Sequence, residues 1–370
     1  MRRTTLSVLL GVATLLTVPG SGPALAGEPE GVVFTMSNGA TRNRVLAWSR
    51  ATDGSLTETG RYDTGGTGSG SGIANQGALS LSPNGRWLYV VNPGSDESSV
   101  FRVDGTQLTL TDVVGSRGDR PVSVTARGKV IYVLNAGGAG NIRGFRRMPG
   151  GSLSFIIGSA RPLSRFDPDP VQIGFSVDGT RLVVSELGSD RLTRYAVDAA
   201  GVAGPPTWRA SEGAEPFGFD FAPDGTLVVS EAGDHVEDGS SASSYRFGPG
   251  GGLQTVSGAV PTTETAACWT AITPDGRFAY VTNTPDHSIS GFALAEDGSL
   301  SMLDANGVTA ATGPGSLPID LDTSADGRFL YVLMAGTDEV VVYGIGLDGS
   351  LSELWTISGL PGAANGLVAR

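Results

Sequence analysis

The chain has 370 residues, a formal net charge of −12, 56 glycines, 21 prolines and one cysteine. The acidic balance argues against nucleic acid and anionic membranes as partners. The single cysteine, Cys268, excludes an internal disulfide, so the fold must depend on a packed core. Its flanks in "TAACWTAI" are largely apolar, which predicts a buried and inert thiol.

The N-terminus has the pattern of a secretory signal. Arg2 and Arg3 precede an apolar stretch over residues 6–18, and "ALA" at 24–26 supplies small residues for cleavage. The apolar stretch is too short to span a bilayer, which disfavours a retained anchor. We therefore predict a signal peptide over residues 1–26 and a secreted, extracellular domain over residues 27–370.

A short pattern recurs along the rest of the chain. "TPDGRFAYVTN" at 273–283 has relatives such as "SPNGRWLYVVN" at 82–92 and "SADGRFLYVLM" at 324–334. The turn glycines of the six copies are Gly85, Gly128, Gly179, Gly225, Gly276 and Gly327. Their spacing of 43 to 51 residues is typical of β-propeller blades.

Each repeat unit contains the parts of one four-stranded blade. An Asp-Gly or Asn-Gly turn joins two apolar strands, and a second turn of the type "DGSL" joins a third strand to a fourth. Residues 32–38, "VVFTMSN", begin a seventh unit that lacks its own first strand. The sequence therefore predicts an all-β fold, a seven-bladed β-propeller with four antiparallel strands per blade.

The C-terminal segment supplies the missing strand. Residues 359–370, "GLPGAANGLVAR", are comparable with the lead-in of an inner strand, and we predict that they form the innermost strand of the first blade. This closure would leave no free sheet edge at the seam. The glycine-rich stretch at 64–72 is similar to a phosphate-binding loop, but no helical pattern follows it.

With its "YVTN"-type strands and its "PDGR" and "DGSL" turns, the chain resembles the seven-bladed propeller lactonase family. That family includes 6-phosphogluconolactonase-like and carboxymuconate-cyclase-like proteins. The resemblance implies a lactonase-type activity and matches Glu231 to a glutamate of the family. Where family members carry histidine or arginine, this chain has Asp169, Phe217 and Thr284.

Propeller geometry brings distant residues together on one face. Inner strands begin and second strands end on the same side of the ring, which we call the strand-start face. The lead-ins to the inner strands contribute Gln76, Arg120, Asp169, Gln172, Glu215, Glu264 and Asp320. The ends of the second strands contribute Asn38, Asn92, Asn135, Glu186, Glu231 and Asn283.

Two carboxylates on neighbouring blades are the candidates for catalysis. If Glu186 and Glu231 lie in different environments, one could act as the general base for an attacking water. Glu231 is the predicted base, and Arg120 is the predicted anchor for a substrate carboxylate or an oxyanion. The structural alternative is that the glutamates are solvated strand ends and that Arg120 belongs to an ion pair. The predicted substrate-binding residues are Gln76, Asn135, Glu186, Glu264, Trp269 and Asn283.

The loop at 230–241, "SEAGDHVEDGSS", concentrates acidic residues. Oxygen ligands of this kind suit calcium, but the spacing matches no known calcium loop, and an exposed acidic loop is the favoured interpretation. The chain has two histidines, His235 and His287, and no paired metal motif. We therefore expect no metal and no cofactor.

The sequence leads to two main hypotheses of function. The first is a secreted, monomeric lactonase-like propeller that hydrolyses a small cyclic ester at the channel mouth. The second is a non-catalytic extracellular scaffold that binds a protein, a carbohydrate or a small molecule. An isomerase of the muconate-cyclase type ranks below both.

Overall fold

The computed structural model describes residues 30–370, whose strands form seven antiparallel sheets arranged as the blades of a propeller. The predicted signal peptide, residues 1–26, lies outside the described residues. No helix within residues 30–370 is long and apolar enough to cross a membrane. The predicted all-β, seven-bladed architecture is confirmed.

The first four blades contain the following strands. Blade 1 has β1 (Gly31–Met36), β2 (Arg44–Arg50) and β3 (Leu56–Asp63). Blade 2 has β4 (Leu79–Leu81), β5 (Trp87–Asn92), β6 (Glu97–Asp104) and β7 (Gln107–Gly115). Blade 3 has β8 (Pro121–Arg127), β9 (Val130–Asn135), β10 (Asn141–Arg147), β11 (Leu153–Phe155) and β12 (Arg161–Pro162). Blade 4 has β13 (Pro170–Phe175), β14 (Arg181–Glu186), a 3-10 turn (Leu187–Ser189), β15 (Arg191–Ala196) and β16 (Thr207–Ala210).

The last three blades follow the same order. Blade 5 has β17 (Pro216–Phe221), β18 (Leu227–Glu231), a 3-10 turn (Gly233–His235), β19 (Ser241–Phe247) and β20 (Leu253–Pro261). Blade 6 has β21 (Ala267–Ile272), β22 (Phe278–Asn283), β23 (Ser288–Leu294), β24 (Leu300–Met302) and β25 (Ala310–Ala311). Blade 7 has β26 (Pro318–Thr323), β27 (Phe329–Met334), β28 (Glu339–Ile345) and β29 (Leu351–Ser358). The last strand, β30 (Asn365–Ala369), returns to blade 1.

The ring is closed by pairing of the two ends of the chain. Strand β30 is antiparallel to β1, with Leu367 opposite Thr35 and Ala369 opposite Val33. The backbone of Arg370 also donates to and accepts from Val32 at 2.9 Å. The predicted role of the C-terminal segment as the innermost strand of blade 1 is confirmed.

The recurrent turns form because their side chains satisfy the backbone. In "TPDGR", the Thr273 hydroxyl donates to Asp275 at 2.6 Å, and the Gly276 amide donates to the Thr273 carbonyl at 2.8 Å. Gly276 has a φ of 74°, a left-handed conformation that glycine adopts without strain. The turn then leads into β22, in which all six residues are buried.

The strand tyrosines join neighbouring blades through the second recurrent turn. Tyr280 of blade 6 is completely buried, and its hydroxyl donates to the carbonyl of Gly349 in blade 7 at 2.9 Å. Tyr132 of blade 3 makes the same contact with Gly201 of blade 4 at 2.8 Å. The "YV" strand and the outer turn therefore recur together because they meet across each of these blade boundaries.

The innermost strands have a backbone edge that no strand pairs with, and in several blades polar side chains bond to it. Gln172 of blade 4 accepts from the Phe219 amide at 2.7 Å and donates to the Phe219 carbonyl at 2.9 Å. Asp220 of blade 5 accepts from the Ile272 amide of blade 6 at 3.0 Å. An unsatisfied buried amide is costly, so these side chains replace the missing strand.

Removing residues 365–370 should unfold the whole propeller, because blade 1 loses its inner strand and the ring opens. We expect the truncated chain to lose its cooperative thermal transition, measured by circular dichroism and calorimetry. A full-length variant with Leu347→Asn, at an exposed turn position (90% exposed), is the control and should melt like the wild type. A truncated chain with a single transition at the wild-type temperature would contradict the closure argument.

Candidate functional site

A cavity of about 320 Å³ lies in the central channel and is lined by the inner strands. This volume is within the range of small-molecule sites. Three aspartates line it, Asp220 from β17 and Asp320 and Asp322 from β26. Among the described residues of its lining there is no lysine, arginine or histidine. The cavity therefore concentrates carboxyl groups without a neutralising side chain.

The Asp220 carboxyl group accepts two backbone hydrogen bonds and lies inside the channel. Its carboxyl group accepts from its neighbour Phe221 at 2.7 Å and from Ile272 of blade 6 at 3.0 Å. Burial in the narrow channel outweighs these bonds and raises the pKa of Asp220 to about 6. At neutral pH this group is close enough to its pKa to exchange a proton.

The two aspartates of blade 7 lie in the same cavity and are still harder to ionise. Asp322 accepts from the Thr323 and Ala369 amides at 2.8 Å, and burial, with Asp220 as a further negative neighbour, raises its pKa to about 7. Asp320 is 1% exposed, and burial raises its pKa well above the ordinary value, with Asp322 adding to the effect. Its Oδ2 has no hydrogen-bond partner in the described structure. Asp320 therefore resists ionisation, because protein encloses its carboxyl group.

The cavity is closed on the strand-start face. Gln76, on the connection between blades 1 and 2, crosses the channel and pairs with both backbone groups of Thr270 in blade 6, at 2.7 and 3.0 Å. The Trp269 indole donates to the Asn75 carbonyl at 2.7 Å, and its ring lies 4.8 Å from that of Phe217. All of these side chains are buried.

The opposite end of the channel is more open. The residues that end the inner strands and line the cavity, including Phe175, Phe221 and Ala369, are only half-buried. Access to the carboxyl groups is therefore from the face where the inner strands end. We call this the strand-end face. The sequence interpretation placed the chemistry on the other side of the ring.

Glu231, the predicted base, lies in a closed cage of hydroxyl groups. It has no exposed surface, and its oxygens accept from Ser211 and Ser241 at 2.6 Å, from Ser243 at 2.8 and 2.9 Å and from the Gly213 amide at 2.8 Å. These bonds hold the connection from blade 4 against blade 5. The arrangement favours a structural role, and the catalytic role of Glu231 stays a prediction.

Glu186 has the same kind of environment in blade 4. It is also fully buried and accepts from the Ser164 amide at 3.0 Å and the Ser189 hydroxyl at 2.8 Å. The alternative that Glu186 and Glu231 are solvated strand ends is therefore wrong. Both carboxylates lie between the second strand and the connection between blades, and neither lines the central cavity.

The predicted asparagines occupy equivalent positions. Asn135 is buried and donates to Asn141 at 3.0 Å, and Asn283 is buried and donates to Ser290 at 2.8 Å. Both partners are on the third strand of the same blade. The asparagine of "YVTN" thus fixes the end of its strand, and its substrate-binding role stays a prediction.

Arg120 and Glu264 lie on the strand-start face but are not brought together with Glu231. Arg120 is exposed, and its backbone amide, with a φ of 52°, donates to Asp96 at 2.6 Å. Glu264 accepts from Ser288, and burial raises its pKa, with repulsion from Asp286 as a smaller cause. No ion pair joins Arg120 to a described carboxylate.

The acidic loop after β18 is exposed, as expected. Asp234, Glu237 and Asp238 point to solvent, and His235 lies 3.8 Å from Glu215. Within residues 30–370 there is no group of three His, Cys, Asp or Glu side chains that could hold a metal ion. Cys268 is buried, and burial raises the pKa of its thiol to about 12, which fits the predicted inert cysteine.

Sequence reasoning missed Asp220 and Asp322, although it singled out Asp320 as a lead-in residue. Their signal is present in "FGFDF" and "PIDLDT", where acidic residues interrupt strands that are otherwise apolar. A buried strand tolerates a carboxyl group only when the group is hydrogen-bonded or neutral. Such positions in inner strands are therefore candidates for channel groups.

Replacing Glu231 with alanine should destabilise the fold, because three serine hydroxyls and one amide lose their acceptor. We expect the free energy of unfolding to fall by more than about 2 kcal/mol, measured by urea denaturation. Glu237→Ala in the exposed loop is the control and should change it by less than about 0.5 kcal/mol. Wild-type stability of the Glu231 variant would contradict the structural role.

The channel aspartates should make stability fall as pH rises. Their folded-state pKa values of about 6 and 7 exceed the unfolded value of about 3.9, so between pH 4 and 7 the native state holds more protons. Asp220→Asn and Asp322→Asn should each flatten the loss of stability from pH 5 to pH 8, by at most about 1.4 kcal/mol for Asp220, because only the interval between pH 5 and its pKa of about 6 contributes in this window. Melting at both pH values tests this, with the exposed Asp348→Asn as control. Unchanged pH dependence in both variants would contradict it.

Comparison with known proteins places the fold in a family. The sequence matches the family model described as "Lactonase, 7-bladed beta-propeller" over residues 12–156 and 164–357. No curated protein sequence matches the chain.

Solved structures share the fold at low sequence identity. A protein from Lactobacillus plantarum has a TM-score of 0.72 at 21% identity, with coverage of 93% of this chain and 100% of its own. A candidate 6-phosphogluconolactonase from Bacteroides uniformis has 0.70 at 17%, with 91% and 99% covered. The periplasmic gluconolactonase of Pseudomonas aeruginosa has 0.68 at 18%, with 92% and 98% covered. Because the family model spans most of the sequence, this chain belongs to the lactonase family of seven-bladed β-propellers.

Proposed function

We propose that this protein hydrolyses a small lactone in the central cavity, with Asp220 as the general base. The observation that carries the proposal is the set of carboxyl groups with raised pKa values in a cavity of small-molecule size, in a chain of the lactonase family. A general base works best when its pKa lies near the operating pH. Asp220, with a pKa of about 6, meets that condition.

The reaction needs a base, a proton donor and a partner for the oxyanion. The Asp220 carboxylate takes a proton from water as the water oxygen attacks the lactone carbonyl carbon. The protonated form of the neighbouring Asp322 donates a hydrogen bond to the developing oxyanion or a proton to the ring oxygen as the C–O bond breaks. A carboxylic acid kept neutral by an apolar site is an established way to supply such a donor.

The gluconolactonase and the candidate 6-phosphogluconolactonase among the structural neighbours support lactones as the substrate class. The closed strand-start mouth and the half-buried strand-end residues favour entry from the strand-end face. The signal-like residues 1–26 support export from the cell as part of the proposal.

The activity test compares variants of both candidate sites. Purified protein is assayed for hydrolysis of a panel of aldonolactones, γ-lactones and homoserine lactones, with pH titration of the released acid as readout. We expect Asp220→Asn to lower kcat/KM by about 100-fold or more, because it removes the base without changing the size of the side chain. Glu231→Gln and Arg120→Ala should keep kcat/KM within a few-fold of the wild type wherever they remain folded.

Other outcomes have distinct meanings. If activity is lost in the folded Glu231→Gln variant but kept in Asp220→Asn, the catalytic site lies on the strand-start face. No turnover of any lactone by the folded wild type would overturn the proposal and favour the alternative of a non-catalytic binding propeller. The backbone bonds of Asp220 and Asp322 suit that alternative, because they show that both groups also have a structural task.

A further inference from the structure

The cavity lining is acidic. Asp320 is 1% exposed, lines the cavity, and its Oδ2 has no partner within the described residues. With Asp220 and Asp322, Asp320 gives the cavity three carboxyl groups and no basic side chain among its described lining residues.

The backbone donors that could bind an anion are already occupied. Inner-strand amides face the channel, but Phe219 donates to Gln172, Ile272 to Asp220 and Ala369 to Asp322. Phosphate and carboxylate groups are bound in proteins by free amides or by arginine and lysine. The lining supplies neither, since it contains no basic residue among those described.

The remaining polar groups suit an uncharged, hydroxyl-bearing ring. Ser80 and Thr125 line the cavity and are half-buried, so their hydroxyl groups are available to a bound molecule. Ser80 makes no side-chain hydrogen bond to the described residues, and Thr125 accepts one from the Phe175 amide at 3.3 Å. Hydroxyl groups of a ligand can donate to carboxylates and accept from these side chains.

We propose that the cavity selects lactones that carry no charge and rejects lactones that carry a phosphate or a carboxylate. This proposal rests on the proposed function, since it names the substrate class of the same site. An anionic substituent would be brought close to Asp220 and Asp322 without a cation, in a chain whose net charge is −12.

The same charge distribution acts on the product. Hydrolysis adds the water oxygen to the carbonyl carbon, breaks the ring C–O bond and leaves a proton on the ring oxygen. The resulting carboxylic acid loses its own proton near neutral pH and becomes an anion. The acidic lining repels this anion, so the open-chain product leaves and inhibits the enzyme weakly.

The test compares the hydrolysis of matched lactones by the protein after removal of any signal segment. Gluconolactone, 6-phosphogluconolactone and glucarolactone differ in charge on similar carbon skeletons. We expect kcat/KM for gluconolactone to exceed that for the phosphate and the carboxylate by about 100-fold or more at low ionic strength. Gluconate at ten times the substrate concentration should reduce the rate by less than half.

A matched pair of variants isolates charge from shape. Ser80→Lys places a cation at the cavity wall, and Ser80→Gln adds a side chain of comparable reach without charge. We expect the ratio of kcat/KM for gluconolactone over 6-phosphogluconolactone to fall at least tenfold in Ser80→Lys and to stay near the wild-type ratio in Ser80→Gln. Using the ratio cancels a general loss of activity.

The outcomes separate the two proposals. If the folded wild type hydrolyses 6-phosphogluconolactone as well as or better than gluconolactone, charge selection is overturned while lactone hydrolysis stands. If Ser80→Lys leaves the ratio at the wild-type value, or Ser80→Gln lowers it as much, charge selection is likewise overturned. If no lactone of the series is hydrolysed, the proposed function fails and charge selection fails with it.

Discussion

The structure depends on completing backbone hydrogen bonds at two kinds of sheet edge. At the seam, β30 from the end of the chain pairs with β1 from its beginning, which makes blade 1 a complete sheet. Around the channel, the inner strands have edges that no strand covers, and side chains such as Gln172 and Asp220 pair with them instead. A buried amide without an acceptor costs free energy comparable to a lost hydrogen bond. The ring therefore requires both the strand pairing at the seam and the side-chain pairing around the channel.

This constraint also generates the chemistry of the channel. A carboxyl group is a good acceptor for an edge amide, but placing it in a narrow channel without a cation makes its ionised form costly. Asp220 and Asp322 accept one amide each from the next blade and still have raised pKa values, because burial outweighs the bonds. The same carboxyl groups that join neighbouring blades therefore have pKa values close to those that proton transfer at neutral pH requires.

The polar ends of the second strands have a different task. Glu231, Asn135 and Asn283 connect the second strand to the third strand or to the segment that arrives from the preceding blade. Each is buried, and each has partners within its own blade. The repeated polar residue at this position therefore stabilises the geometry of the blade whatever ligand the protein binds.

The sequence by itself determined the fold, because the spacing of the Asp-Gly turns, the "DGSL" turns and the strand-like tail are local features that act in each blade separately. It did not determine which way Glu231 and Glu186 point, since shifting a strand by one residue reverses its faces. In blade 5 the pairing shifts between Pro216 and Phe219, an irregularity that no turn motif reports. Only the tertiary structure decided that Gln76 closes one mouth of the channel and that Asp220, Asp320 and Asp322 meet inside it, because these contacts join blades that are far apart in the chain.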